Sequence, residues 1–139
     1  MKLCLLVVGK LKDRGLREHE ADFVQRMRHP LPLEIQEFKT CDTMLQKLSG
    51  PTVLLDERGE QVTSKELAGW ISAYRDSGAS RLSFAIGDAH GFADKQRTGA
   101  SKVMAMSRLT LPHRLARILM VEQLYRAATI LEGHPYHHE

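Results

Sequence analysis

The run Leu3-Cys4-Leu5-Leu6-Val7-Val8, closed by Gly9, narrows the fold more than any other stretch of the chain. Six apolar residues without alternation describe a strand buried on both faces, as in a parallel sheet. Parallel neighbours need crossover connections, usually helices, and the following residues supply one. Charges occupy most positions from Asp13 to Arg28, while Leu16, Phe23, Val24 and Met27 fall on one helical stripe. The run His29-Pro30-Leu31-Pro32 stops that helix.

The alternation then continues to the C-terminus. Leu33–Phe38 reads as a second strand and Thr40–Leu48 as a short helix broken by Ser49-Gly50-Pro51. Thr52–Asp56 reads as a third strand, followed by a polar turn at Glu57-Arg58-Gly59-Glu60. Thr63 or Ser64 caps a helix that runs to Ser77, with Gly78 as its stop. Arg81–Ile86 is a fourth strand, residues 94–100 a short helix and Lys102–Ser107 a fifth strand. Pro112 opens a long helix over His113–Leu131, and Gly133-His134-Pro135 ends it before the tail Tyr136–Glu139. The pattern predicts an α/β fold, a mostly parallel sheet with helices on both faces. No interior linker or repeat divides it, so residues 1–139 are expected to form one domain.

Composition adds bounds. Hydrophobic residues are 42% and charged residues 27%, an ordinary globular balance that excludes a disordered tail or a collagen-like repeat. The net charge is only +3, but it is unevenly placed. Between Asp94 and Arg126 there are seven Lys and Arg against two acids, Asp94 and Glu122. Two cysteines, Cys4 and Cys41, support neither a disulfide framework nor a CxxC metal pair. No apolar stretch approaches the ~20 residues of a membrane span, and the N-terminal run lacks a cleavage site. These features predict a soluble, cytoplasmic protein without a metal.

Ligands of open α/β sheets bind at the C-terminal strand ends. Three such ends are candidates: Leu54-Leu55-Asp56, Ile86-Gly87-Asp88-Ala89-His90-Gly91, and Ser107-Arg108-Leu109-Thr110-Leu111-Pro112-His113. There is no GxGxxG and no GxxxxGK[ST], which removes most of the weight from kinase, P-loop and dinucleotide readings. A loop of the Leu-Thr-Leu-Pro-His type can hydrogen-bond a flat heterocycle through backbone while leucines hold its faces. The tail gathers His134, Tyr136, His137 and His138, groups able to stack on a base or accept its proton.

Four motifs in this order carry a resemblance: Ile86-Gly87 with Gly91, Leu109-Thr-Leu-Pro-His113, Glu122-Gln-Leu-Tyr-Arg-Ala127, and His134-Pro-Tyr-His137 with Glu139. With the opening Met1–Lys10, they resemble the ribosomal RNA large subunit methyltransferase H family of the SPOUT class over nearly the whole chain. The resemblance implies a SPOUT domain with a C-terminal trefoil knot, a homodimer, and S-adenosyl-L-methionine as methyl donor. It also implies methylation at N3 of a pseudouridine in 23S ribosomal RNA of the assembled ribosome. By position, cofactor contacts fall on Leu55, Gly87, Asp88, Ser107, Arg108, Leu109, Thr110, Leu111 and Pro112. The tail of one protomer is expected to complete the partner's site. His137 or His138 would accept the base proton, Tyr136 would stack on the base, and Arg126 would stabilise its anion, with Arg108 and Arg114 near phosphates. Deleting the tail is expected to remove no core residue.

The chain departs from the family pattern at three places. Gly87-Asp88-Ala89-His90-Gly91 stands where the family reads GGPEG, His138 stands where it carries Arg or Lys, and the Phe38–Thr52 segment is short. Two other readings therefore accompany the first: a SPOUT methyltransferase with another RNA substrate, and a non-catalytic knotted RNA-binding protein. A flavodoxin-like nucleotide regulator follows only if the terminal motif is ignored.

Overall fold

The computed structural model describes residues 1–29 and 31–138. Pro30, within the run read as a helix stop, and Glu139, at the end of the tail, lie outside the described residues. Ten elements alternate: β1 (Lys2–Val8), α1 (Arg14–Arg26), β2 (Leu33–Phe38), α2 (Cys41–Gln46), β3 (Thr52–Gln61), α3 (Ser64–Asp76), β4 (Arg81–Ile86), α4 (Asp94–Gly99), β5 (Lys102–Ala105) and α5 (His113–Glu132). The strands form one parallel sheet in the order β2-β1-β4-β3-β5.

The apolar run of β1 meets two cores, as its lack of alternation requires. Leu3, Leu5 and Val7 join Leu82, Phe84, Val53 and Leu55 on the face covered by α1, α3 and α5. Cys4 and Leu6 point the other way, with Leu54, Ala85, Met44 of α2 and Phe92. Local chemistry sets the helix starts. Asp13 accepts the Leu16 N–H at 2.9 Å, and Thr63 and Glu66 close a reciprocal capping box at 3.1 Å each way. α5 ends where Gly133 takes a left-handed φ of 73° and the His134 N–H bonds the Thr129 carbonyl at 2.9 Å.

The polar turn expected at residues 57–60 is instead strand. Leu55 pairs with Met104, and after a register shift Glu60 pairs with Met104 and Gln61 with Ala105. The pairing that continues the strand through Glu60 comes from β5, more than forty residues on, so local composition misreads the segment. Between the two pairings β3 bulges at residues 56–59. Gly59 then lies so close to β5 that a Cβ would sit 2.6 Å from the Met104 nitrogen, leaving glycine the one residue that fits. At the other end, β5 stops at Ala105, so Met106 and Ser107 belong to the connection into α5.

The tail is also corrected. Tyr136 packs against the main core, with its ring edge-on to Tyr125 at 4.7 Å and Arg126 stacked on it at 4.9 Å. Its deletion would therefore remove packed surface.

Candidate functional site

A cleft of about 320 Å³ opens at the C-terminal ends of β4 and β5 and at the mid-strand bulge of β3. Three segments wall it: residues 55–58 at the β3 bulge, residues 86–91 after β4, and the connection from Met106 to Leu111. His113 and Ala116 of α5 close one side. Strand order places these three segments side by side, which sequence separation alone hides.

Of the expected cofactor contacts, Leu55, Gly87, Asp88, Ser107, Leu109, Thr110 and Leu111 line the cleft. Arg108 and Pro112 do not. Arg108 donates to Gln61 Oε1 at 3.1 Å, and Pro112 caps α5 through a carbonyl that accepts the Ala116 N–H at 2.9 Å. The wall residues outside that set include Asp56, His90, Met106 and His113. The motifs at 86–91 and 109–113 flagged His90 and His113, whereas Asp56 gave no signal beyond its place at a strand end.

The loop after β4 has a defined shape. Asp88 Oδ1 accepts the His90 N–H at 2.9 Å and the Asp88 carbonyl accepts the Gly91 N–H at 3.0 Å. No non-glycine residue has positive φ among the described residues, so Asp88 sits in this loop without backbone strain. Gly91 has φ 70°, and a Cβ there would come 3.2 Å from Asp56 Oδ2. Across the cleft, His113 Nε2 hydrogen-bonds the Gly87 carbonyl at 2.8 Å. Leu109 is 76% exposed at the mouth, a large apolar side chain available to cover a ligand.

Asp56 is buried beneath this loop. Burial pushes its carboxyl up, but the Arg58 and Phe92 N–H groups and the Arg97 and Arg58 charges outweigh it and hold it below the usual carboxylate range.

The tail residues gather elsewhere. Arg126 bonds Glu122 at 2.7 and 2.9 Å, Tyr136 donates to Glu122 at 3.2 Å, and Arg126 Nη1 lies 3.1 Å from His137 Nδ1. An arginine only donates, so in this contact Nδ1 is the acceptor and the ring N–H is on Nε2. Burial, then Glu122, pushes the Tyr136 phenol up, so it stays a donor at neutral pH. His138 is exposed. Arg126 lies thirteen residues beyond His113 on α5, about 20 Å at 1.5 Å per residue. The structure brings Arg126, Tyr136 and His137 together, but away from the cleft of their own chain.

The basic third is largely engaged internally. Arg97 pairs with Asp56 and Asp94, Arg117 with Glu20 and Glu37, and Arg126 with Glu122, while Lys102 lies 4.6 Å from the Trp70 ring. By contrast Arg114, Lys10, Lys12 and Arg17 are exposed, and their side chains make no salt bridge or hydrogen bond among the described residues. The last three rim a second groove that also contains Arg117, so α5 borders both this groove and the cleft. Among the described residues, no three His, Cys, Asp or Glu side chains gather as around a metal, and no helix is long and apolar enough to cross a membrane.

A family model described as "Predicted SPOUT methyltransferase" matches residues 1–137. The chain is 44% identical over 154 residues to the ribosomal RNA large subunit methyltransferase H of Geobacter metallireducens, covering 99% of each protein. It is 38% identical over 143 residues to the protein of that name from Koribacter versatilis, covering 99% of this chain and 98% of the relative. Among solved structures it resembles that of a probable methylase family protein from Haemophilus influenzae, with a TM-score of 0.63. That match covers 94% of this chain and 66% of the other at 9% identity, a likeness of fold alone.

Proposed function

The chain belongs to the ribosomal RNA large subunit methyltransferase H family of SPOUT methyltransferases, and on that premise we propose that it methylates N3 of a pseudouridine in large-subunit ribosomal RNA, drawing on S-adenosyl-L-methionine. The observation that carries this reading is the cleft built from residues 55–58, 86–91 and 106–111 across β4, β3 and β5. Its chemistry fits the donor. Leu55, Ile86, Leu109 and Leu111 offer an apolar wall for an adenine, and the 87–89 and 107–110 backbone offers hydrogen bonds to its edge. When bound, the donor supplies an electrophilic methyl on a sulfonium.

What the protein must add is alignment and charge control. Holding a nucleophile in line with the methyl contributes several kcal/mol. The pyrimidine N3–H must also lose its proton, which leaves negative charge on the flanking carbonyl oxygens. Arg126 and the Nε2–H of His137 are donors suited to that charge. This shifts His137 from proton acceptor to electrostatic stabiliser and leaves the exposed His138 as the proton acceptor. Tyr136, engaged by Tyr125 and Arg126, holds this group in place.

These groups serve a cleft only if it belongs to another copy. Leu115 and Leu119 of α5 are 41% and 45% exposed and one turn apart. A two-fold axis setting Leu115 against Leu119 of the partner subunit runs the two helices antiparallel. Arg126 of the partner subunit then passes the N-terminus of α5, toward the 106–111 connection. The trefoil crossing belongs to the same reading. It is supported by the return of the chain from the edge strand β5 to the β3 bulge and the β4 end before α5 begins.

The deciding experiment pairs calorimetry with S-adenosylhomocysteine and methylation of ribosomes from a strain lacking the endogenous enzyme, with the modified nucleotide mapped. Micromolar binding and a methyl on a pseudouridine are expected. Absence of binding would leave a non-catalytic protein, and a methyl elsewhere would mean a different RNA substrate.

Ribosome binding is expected to weaken steeply with salt, because each neutralised phosphate releases counterions. Lys10→Ala with Lys12→Ala should flatten the slope of log K against log salt by about one per lost phosphate contact, and Arg114→Ala should act similarly. An unchanged slope in all of them would place the RNA on another face.

A further inference from the structure

We infer that Asp56 is a positioning residue that fixes the loop after β4 in the shape that binds the methyl donor. The inference rests on the cleft being the donor site and adds a residue whose work is done through others. Asp56 stands at the start of the β3 bulge with a side chain only 2% exposed. Each carboxylate oxygen holds a different wall. Oδ1 accepts the Arg58 N–H at 2.9 Å, which shapes the bulge. Oδ2 accepts the Phe92 N–H at 3.2 Å, which pins the far end of the 87–92 loop.

The hold passes on through packing. The Phe92 ring is buried against Gly87, where a Cβ would lie 3.2 Å from Phe92 Cζ. The Gly87 carbonyl in turn meets His113 Nε2 on α5. Asp56, Phe92, Gly87 and His113 thus join the β3 bulge, the β4 loop and α5 around one cleft. Arg97 supports the carboxylate from outside, 3.4 Å from Oδ2, and also donates to the Phe92 carbonyl. Arg97 does not line the cleft.

Asp56→Asn keeps the size of the side chain but replaces one acceptor with an NH₂ donor. Either the Phe92 or the Arg58 N–H then faces another donor, and the loop loses its anchor. Affinity for S-adenosylhomocysteine is expected to fall about tenfold or more, the usual scale for a hydrogen bond to a charged group. The KM for the donor should rise equally, while kcat at saturating donor stays within about threefold, because no reacting atom is touched. A carboxylate with a merely structural role would instead lower Tm and the yield of active protein, reducing kcat with KM unmoved.

Wild-type protein that fails to bind S-adenosylhomocysteine overturns the donor-site reading, and this inference with it. Wild-type binding with equal affinity in Asp56→Asn overturns the inference alone. If Asp56→Asn does not fold, Arg97→Gln carries the test. A donor KM several-fold above wild type, on the scale of a weakened charged hydrogen bond, supports the positioning role, and an unchanged KM refutes it.

Discussion

Two inactive variants, mixed, should restore methyl transfer. The first carries Gly91→Val, a β-branched residue forced to φ 70° with its Cβ 3.2 Å from Asp56 Oδ2. The second carries Arg126→Ala and His137→Ala, which removes both donors assigned to the developing anion. The second alone should lose about 10²–10⁴-fold in rate, the range for a lost electrostatic or acid–base group, and the first should lose methyl transfer with its donor binding. If the tail of one protomer serves the cleft of the other, a mixed dimer has one site with both parts intact. Equal mixing with free exchange then yields half mixed dimers with one working site each, about a quarter of wild-type activity. A tail acting on its own cleft would leave the mixture as inactive as its components. Monomers in sedimentation at micromolar concentration would remove the basis for exchange.

The order of elements was legible because it depends on short-range patterns. Unbroken apolar runs, a Thr-x-x-Glu cap at Thr63 and a glycine after α5 each act within a few residues. Elements that depend on distant partners were not. Glu57 to Glu60 read as a turn because the pairing that continues the strand, Glu60 with Met104, comes from β5. Asp56 read as the end of a strand because Phe92 and Arg97, which give it a task, lie 36 and 41 residues further on.

The basic third shows the same limit in electrostatic terms. A count of Lys and Arg between residues 94 and 126 marks it as an anion-binding face. Yet Arg117 is paired 97 residues away with Glu20 and 80 residues away with Glu37. A cation already held by two carboxylates offers little to a phosphate. The exposed cations lie partly in the loop after β1, where the count gave no warning. Leu11 is buried there and its N–H bonds Glu37 at 3.1 Å, so Lys10 and Lys12 are held outward on either side of it. The tail escaped differently: His-Pro-Tyr-His is recognisable as a motif, but only the fold shows Tyr136 returning to Tyr125.

Arg117→Met should be the most destabilising single change on the helical face. Arg117 is 5% exposed and holds Glu20 through two bonds, at 2.6 and 2.8 Å, and Glu37 through one at 2.7 Å. Methionine keeps most of the apolar stem but strands both carboxylates. Breaking a buried pair from one side costs about 3–5 kcal/mol. The Glu37 side chain is 35% exposed and keeps some water, which places the expected loss near the lower end, about 3 kcal/mol. The sign of the pH dependence follows from Glu37. Burial pushes its carboxyl up, but Arg117 and the Leu11 N–H pull harder and hold it below its ordinary value. A carboxylate lowered in the folded state stabilises above its unfolded pKa, about 4.3. That contribution is lost as pH falls through the folded value. Without Arg117 the strongest downward pull is gone, burial is opposed mainly by Leu11, and the folded value rises. Wild-type and variant stabilities, measured by urea unfolding, should therefore differ most at pH 7 and converge only as pH falls below about 4.3, through the lowered folded value of Glu37. A loss below about 1 kcal/mol at pH 7, the size of an ordinary substitution, or a gap that does not change with pH, would show that the network contributes packing rather than charge.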